Sequence, residues 1–291
     1  MNQRTADTFL KIQKRYKEVQ DRYANSSSIY RNMLVIGDYG TGKTQLFGTC
    51  PKPVHIDSFD PGGTKTAALQ PLIESGDIVV ENKYENDDWK NPWAYDQWVR
   101  DMRERIADGY FDYIGTYGLD STTRWAMSMM YAIMSRGSKV SKPHAGETPQ
   151  LQDFMLQQFD GADIISHIMA LPCHTLITGH IALTKDEVTG KLETGLMLWG
   201  KFSNQLPLSF DEKYIMRVEK DKHMLQVKND GYYKAETRMG GTKFQKYEEP
   251  NIQALLKKGN GGVSISSPSY IAWEDKESIE GLMLAQKGGT T

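Results

Sequence analysis

The residues best placed to do chemistry are Gly37-Asp38-Tyr39-Gly40-Thr41-Gly42-Lys43-Thr44, with Gln45 directly behind them. In the spacing G-x-x-x-x-G-K-[ST], backbone N–H groups cradle phosphates, the lysine reaches the β- and γ-phosphates, and the hydroxyl joins a Mg²⁺ shell. The stretch therefore predicts a site for the phosphates of a nucleoside triphosphate with Mg²⁺. Such a loop needs a metal-organising acid at the end of another buried strand. Asp120 meets that need at the end of Thr116-Tyr117-Gly118-Leu119-Asp120, although it could also cap the next helix. Hydrolysis needs a group to orient water, and Asp57-Ser58-Phe59-Asp60-Pro61-Gly62-Gly63 offers Asp57 and Asp60 as catalytic bases. Either could serve, and either could instead be a turn residue around Pro61-Gly62. His180 closes Thr175-Leu176-Ile177-Thr178-Gly179-His180, where it could sense a γ-phosphate or be a satisfied buried histidine. The other histidines form no ligand-like cluster.

These residues must be held by strands that end together. Asn32 to Gly37 reads as a buried strand running into the glycine-rich loop, with a helix expected from Thr44 onward. Further strands are predicted at Pro53 to Asp57, Asp77 to Val80, Tyr113 to Asp120 and Thr175 to His180. Helices are predicted over Pro92 to Asp108 and Leu151 to Ala170. Strands alternating with helices predict an α/β fold with a mainly parallel central sheet flanked by helices. Tyr214 to Val218 and His223 to Val227, around Asn229-Asp230-Gly231, predict a C-terminal β-hairpin added to that sheet. Phe9, Leu10, Ile12, Tyr16 and Val19 give Thr5 to Ala24 the spacing of an amphipathic helix, able to pack on its own domain or on a neighbouring subunit. The division is an N-terminal helix and linker over 1–28, one large domain over 29–258, and a partly mobile extension over 259–291.

The bulk properties narrow the partners. The chain has 291 residues, with 35 Lys and Arg against 37 Asp and Glu, so no global basic field coats it and any nucleic-acid contact must come from local loops. Cys50 and Cys173 are too few and too far apart for a disulfide framework or a zinc site. No apolar run approaches the roughly 18 residues of a membrane span, which predicts a cytoplasmic protein. Two segments, 135–146 and 182–201, read as loops too polar for sheet or helix. The first carries Arg136, Lys139 and Lys142, candidates for a phosphate-backbone contact. The second carries Lys185, Lys191 and Lys201 among acids. Either segment could equally be a solvated loop. Arg238, near a turn with Lys234, could reach a neighbouring subunit's γ-phosphate or be a plain surface arginine.

Taken in order, these parts resemble the RecA-type ATPase core, and among its members the phage-encoded RecA-like nucleotide-binding proteins that include single-strand annealing ATPases. The likeness rests on Gly37 to Thr44, His55 to Gly63, Gly118 to Thr123, Thr178-Gly179-His180, the Thr189-Gly190 loop, Gly200-Lys201, Phe210-Asp211-Glu212, Thr237-Arg238 and Tyr247 to Pro250. It covers roughly residues 30 to 257. The resemblance implies ATP hydrolysis between subunits of a homo-oligomeric ring or filament. It also implies single-stranded DNA bound by residues 135–149 and 182–203, in phage recombination, annealing or replication. RecA itself has a glutamate two residues after the aspartate matching Asp57, where this chain has Phe59, so Asp60 is the expected substitute. The same core also suits a nucleotide-switched assembly protein that touches no DNA, or a helicase-loading or packaging-type motor.

Overall fold

The computed structural model describes residues 3–25, 30–138, 142–185, 190 and 192–260. The chain starts with α1 (Gln3–Asn25) and β1 (Asn32–Gly37), then β2 (Val54–Ser58), α2 (Gln70–Glu74) and β3 (Ile78–Glu81). Next come α3 (Ala94–Ala107), β4 (Thr116–Asp120), α4 (Thr122–Arg136), α5 (Leu151–Met169), β5 (His174–Lys185) and β6 (Leu192–Leu196). It continues with α6 (Phe202–Gln205), β7 (Glu212–Glu219), β8 (Lys222–Gln226), β9 (Glu236–Thr237), β10 (Tyr247–Glu248) and α7 (Ile252–Gly259).

The strands join in one sheet in the order β10-β8-β7-β1-β5-β4-β2-β3, with β6 paired to β5 and β9 to β7. From β7 to β3 every pairing is parallel, while β6, β8, β9 and β10 add antiparallel edges. This is the mainly parallel, helix-flanked α/β core that the alternation of strands and helices predicts. One strand, β5, separates the β1 strand of the glycine-rich loop from the β4 strand that ends in Asp120. Because successive strand side chains face opposite ways, Leu34 and Ile36 enter one core layer and Met33 and Val35 the other. The first layer packs Trp98, Trp125 and Tyr95 under α3 to α5, with the two indoles edge to face at 5.8 Å between centroids. The second joins Leu46 and Phe47 to Ile252, Leu255 and Leu256 of α7. Asn251 caps α7 by accepting from the Ala254 N–H at 3.0 Å.

Several expectations shift in detail. The C-terminal hairpin is β7 and β8, but it turns at Lys220-Asp221, both with positive φ, rather than at Asn229-Asp230-Gly231. Residues 182–201 are not all loop, because β5 runs on to Lys185 and pairs antiparallel with β6. The polar residues misled there: Thr194 and Leu196 are buried, but Leu183, Lys185 and Leu192 are exposed, so little of the segment shows the buried alternation by which sequence patterning detects a strand. The N-terminal helix forms, yet Leu10, Ile12, Tyr16 and Val19 are all exposed. The expected mobile extension falls almost wholly outside the described residues. Among the described residues, no helix is long and apolar enough to cross a membrane.

Candidate active site

The C-terminal ends of the parallel strands meet along one edge, where open α/β sheets place their ligand sites. β1 delivers Gly37 there, packed so closely on β7 that a Cβ would lie 2.6 Å from the Met216 carbonyl oxygen. The loop then curls on itself. Thr41 Oγ1 donates to the Asp38 carbonyl at 2.8 Å, and Gly42 takes a φ of 92°, which glycine adopts without strain. Lys43 Nζ folds back to donate to the carbonyls of Gly37 (3.0 Å) and Asp38 (2.8 Å). Burial lowers its pKa from the ordinary ammonium range, against the opposing charges of Asp120, Asp60 and Asp38. From the adjacent hairpin, His223 Nδ1 lies 2.8 Å from the Thr41 carbonyl oxygen. A carbonyl only accepts, so Nδ1 carries the proton and braces the loop from outside. The helix expected after Thr44 is a single 3₁₀ segment, Thr44–Thr49, with Pro51 and Pro53 close behind to prevent continuation.

Asp120, the candidate metal-organising acid, ends β4 beside the glycine-rich loop. Thr44 Oγ1 donates to Asp120 Oδ2 at 2.8 Å, and Thr178 Oγ1, on the intervening β5, donates to Asp120 Oδ1. Burial pushes the Asp120 carboxyl up to about 6, helped by the Asp60 charge and resisted by the Thr178 and Thr44 hydrogen bonds and by Lys43. Asp120 caps nothing with its side chain, since both oxygens face these hydroxyls. Its main-chain carbonyl accepts from the Phe59 and Asp60 N–H groups at 2.6 and 3.2 Å, tying the exit of β2 to that of β4. Two hard oxygen donors side by side suit Mg²⁺, which takes its remaining ligands from water and phosphate. Among the described residues, no cluster of three or more His, Cys, Asp or Glu side chains competes for a softer metal.

The two candidate bases part company. Asp60 lines the cleft with Pro61, Gly62 and Gly63. Asp57 does not, because strand alternation turns it to the opposite face, where it is wholly buried under α3. There it accepts from Arg105 Nη1 (3.0 and 3.1 Å), Trp98 Nε1 (2.8 Å), the Tyr117 hydroxyl (2.8 Å) and His55 Nε2 (3.0 Å). Burial alone would raise its pKa. The His55 hydrogen bond and charge, then Arg105 and Tyr117, outweigh it and hold the carboxyl below its usual range. Asp57 is thus a core residue rather than a candidate base.

The structure adds cleft residues that the sequence did not flag. The cavity, about 560 Å³, is lined by residues of the glycine-rich loop between Tyr39 and Gln45 together with Asp60, Lys65, Thr66, Asp120, Arg124 and His180. Thr66 Oγ1 is a buried hydroxyl without a hydrogen-bond partner among the described residues. Glu85 clamps the loop that carries Asp60, accepting from Ser58 Oγ (2.7 Å) and the Gly62 N–H (3.0 Å). Lys65 and Arg124 were hidden because neither belongs to a spaced motif. His180 stands beside Gly37 in the β1–β5 register, with Nδ1 3.3 Å from Thr123 Oγ1. Burial lowers its pKa, and Lys43 pushes the same way.

Other candidates lie elsewhere. Arg238 sits at the opposite end of the sheet, beside the start of β7, where Nη1 donates to Asp211 Oδ1 at 3.2 Å. Within its own chain it does not line the cleft. Arg136 is committed to ion pairs with Asp160 (3.1 Å) and Asp96 (3.4 Å) across α3, α4 and α5, an arrangement that competes with a phosphate contact. Lys142, Lys185 and Lys201 are exposed. Lys139 and Lys191 lie outside the described residues.

No protein-family model and no curated protein matches the sequence. Among solved structures, one similar chain is a KaiC-like protein of the hyperthermophilic archaeon Pyrococcus horikoshii. It aligns at 11% identity and a TM-score of 0.39, over 72% of this chain and 83% of that one. Another is an ATPase from the type III secretion system of pathogenic bacteria. It aligns at 14% identity and a TM-score of 0.39, over 66% of this chain and 51% of that one.

Proposed function

We propose that the cleft binds ATP with Mg²⁺ and hydrolyses it to ADP and phosphate. The observation that carries this reading is the Thr44–Asp120 hydrogen bond at 2.8 Å, which brings the hydroxyl of the glycine-rich loop and the acid of β4 to one point beside Lys43. Gly40, where a Cβ would meet nothing within 4 Å, leaves room for phosphate oxygens against the loop's backbone, and Lys43 would exchange its own-chain carbonyls for the β- and γ-phosphates. Thr44 and Asp120 would hold Mg²⁺, which when bound neutralises charge developing on the phosphates. Asp60, across the cleft, would orient the attacking water. The water oxygen bonds to the γ-phosphorus, the bond to the bridging oxygen breaks with its electron pair leaving on ADP, and Asp60 takes the water's proton before passing it to phosphate. Glu85 would keep Asp60 in range by fixing the Ser58–Gly62 turn.

The reading extends to single-stranded DNA through the β5–β6 hairpin. His180 lies on β5 five residues before Lys185, and its carbonyl accepts from the Met197 N–H at 2.8 Å just past the end of β6. A shift of His180 toward a γ-phosphate would move both arms of the hairpin. A homo-oligomer would present several such hairpins to one strand. A second reading, nucleotide-switched assembly without DNA, is favoured by a different feature. Leu151, Met155 and Phe159 form a stripe along α5 that is 79%, 55% and 71% exposed. ATP turnover measured with and without single-stranded DNA, at low and moderate salt, separates the two. Stimulation that weakens with salt supports the DNA reading, and turnover indifferent to DNA leaves the assembly reading.

A further inference from the structure

We infer that Arg124 is a catalytic residue of its own chain's site, supplying in cis the positive charge at the γ-phosphate. The inference rests on the ATPase reading above. Arg124 lies in the first turn of α4, four residues past Asp120, and lines the same cleft as Lys43, Asp60 and His180. Its Nε is 3.8 Å from Asp60 Oδ1, a long ion pair, and its side chain is 53% exposed. A cation so loosely paired can turn without breaking a packed contact. Its surroundings define where it can turn: Asp60 from the β2 loop, His180 from β5, and Lys43 across the cleft.

A γ-phosphate seated between Lys43 and Asp60 would bring a denser negative charge to Arg124 than the single carboxylate of Asp60 does. The planar guanidinium matches a phosphate face with two parallel hydrogen bonds. Turning to the phosphate would also release Asp60. Its carboxylate would then be free to accept a hydrogen bond from water at the moment the substrate is complete, so one side chain couples substrate recognition to exposure of the base. After hydrolysis and loss of phosphate, Arg124 returns to Asp60. Arg238, the cation that sequence pointed to for this job, is paired with Asp211 at the far end of the sheet.

The test mixes two inactive variants. Arg124→Ala should lower turnover by about 10² to 10³. It should weaken binding of a non-hydrolysable triphosphate analogue, adenylyl imidodiphosphate, while leaving ADP affinity within about twofold, and Arg124→Lys should restore part of both because it keeps the charge. Arg124→Ala is then mixed one to one with Lys43→Ala and allowed to exchange subunits. Charge supplied in cis leaves every site in the mixture incomplete, and turnover stays at the mean of the two variants. Charge supplied across an interface would instead rebuild about one site in four, and that recovery overturns the inference. An active wild type with undiminished Arg124→Ala turnover overturns it too, while the ATPase reading stands. A wild type with no turnover overturns both.

Discussion

Removing Arg105 should destabilise the fold and leave the chemistry alone. Arg105 is the guanidinium partner of Asp57, a carboxylate with no solvent exposure, and it spans both carboxylate oxygens at 3.0 and 3.1 Å. Arg105→Met keeps the aliphatic stem and deletes the charge, stranding an anion that Trp98, Tyr117 and His55 still contact. Stranding one member of a buried pair costs about 3–5 kcal/mol, and at about 2–4 °C per kcal/mol for a domain this large Tm should fall by roughly 6–20 °C. The double variant Arg105→Met/Asp57→Asn removes both charges and should recover much of the loss. Because the folded carboxyl titrates below its unfolded value, its contribution is present above the unfolded pKa of 3.8 and fades as pH falls through the lower folded value. The assay is thermal unfolding at pH 7, paired with ATP turnover per folded molecule at 25 °C. A stability loss below about 1 kcal/mol, or turnover abolished in a protein that remains folded, would refute the assignment of Asp57 to the core rather than the site.

Asp120, pushed up to about 6, must ionise to hold Mg²⁺, so Mg²⁺·ATP affinity titrated from pH 8 to 5 should fall by up to about tenfold per pH unit below 6. The sign is opposite for the empty protein, where a raised carboxyl favours the fold at low pH and loses that contribution as pH rises through 6. His174 is buried, with its Nδ1 accepting from the Arg31 N–H at 3.1 Å, and burial followed by the Arg31 charge lowers its pKa to about 4. Its neutral form is the one that fits, so stability present above pH 6.5 should decline on the order of 3 kcal/mol toward pH 4, and His174→Gln should flatten that slope in chemical denaturation. Gly118→Ala would place a methyl 2.5 Å from the Phe47 ring beneath the short helix after the glycine-rich loop, and calorimetry should show a loss of about 1–3 kcal/mol.

The site was most legible where chemistry fixes spacing. Gly37 to Thr44 stands out as a candidate because its spacing is the one phosphate binding demands, and Asp120 because it ends a buried strand that the structure brings to Thr44 at 2.8 Å. Asp57 and Asp60 were harder to tell apart. Three residues apart, they differ in face only once β2 has an observed end, and strand boundaries are what sequence marks least well. Arg124, Lys65, Glu85 and His223 reach the cleft or its loop from four separate segments, so no local spacing announces them. The parallel core was readable from alternating strands and helices. The β5–β6 hairpin was not, since its polar residues resemble a loop until pairing organises them. The helix expected from Thr44 onward forms only as the 3₁₀ segment Thr44–Thr49, ahead of two prolines in plain view, Pro51 and Pro53.

Phosphate release from ATP, measured for the wild type, Lys43→Ala and Asp60→Asn alongside nucleotide binding in the same preparations, tests the cleft as a hydrolytic site most directly. The geometry predicts turnover in the wild type, loss of both binding and turnover in Lys43→Ala, and retained binding with turnover lowered by about 10² or more in Asp60→Asn. Turnover that survives in Lys43→Ala, or a wild type that binds no nucleotide in the presence of Mg²⁺, would contradict it.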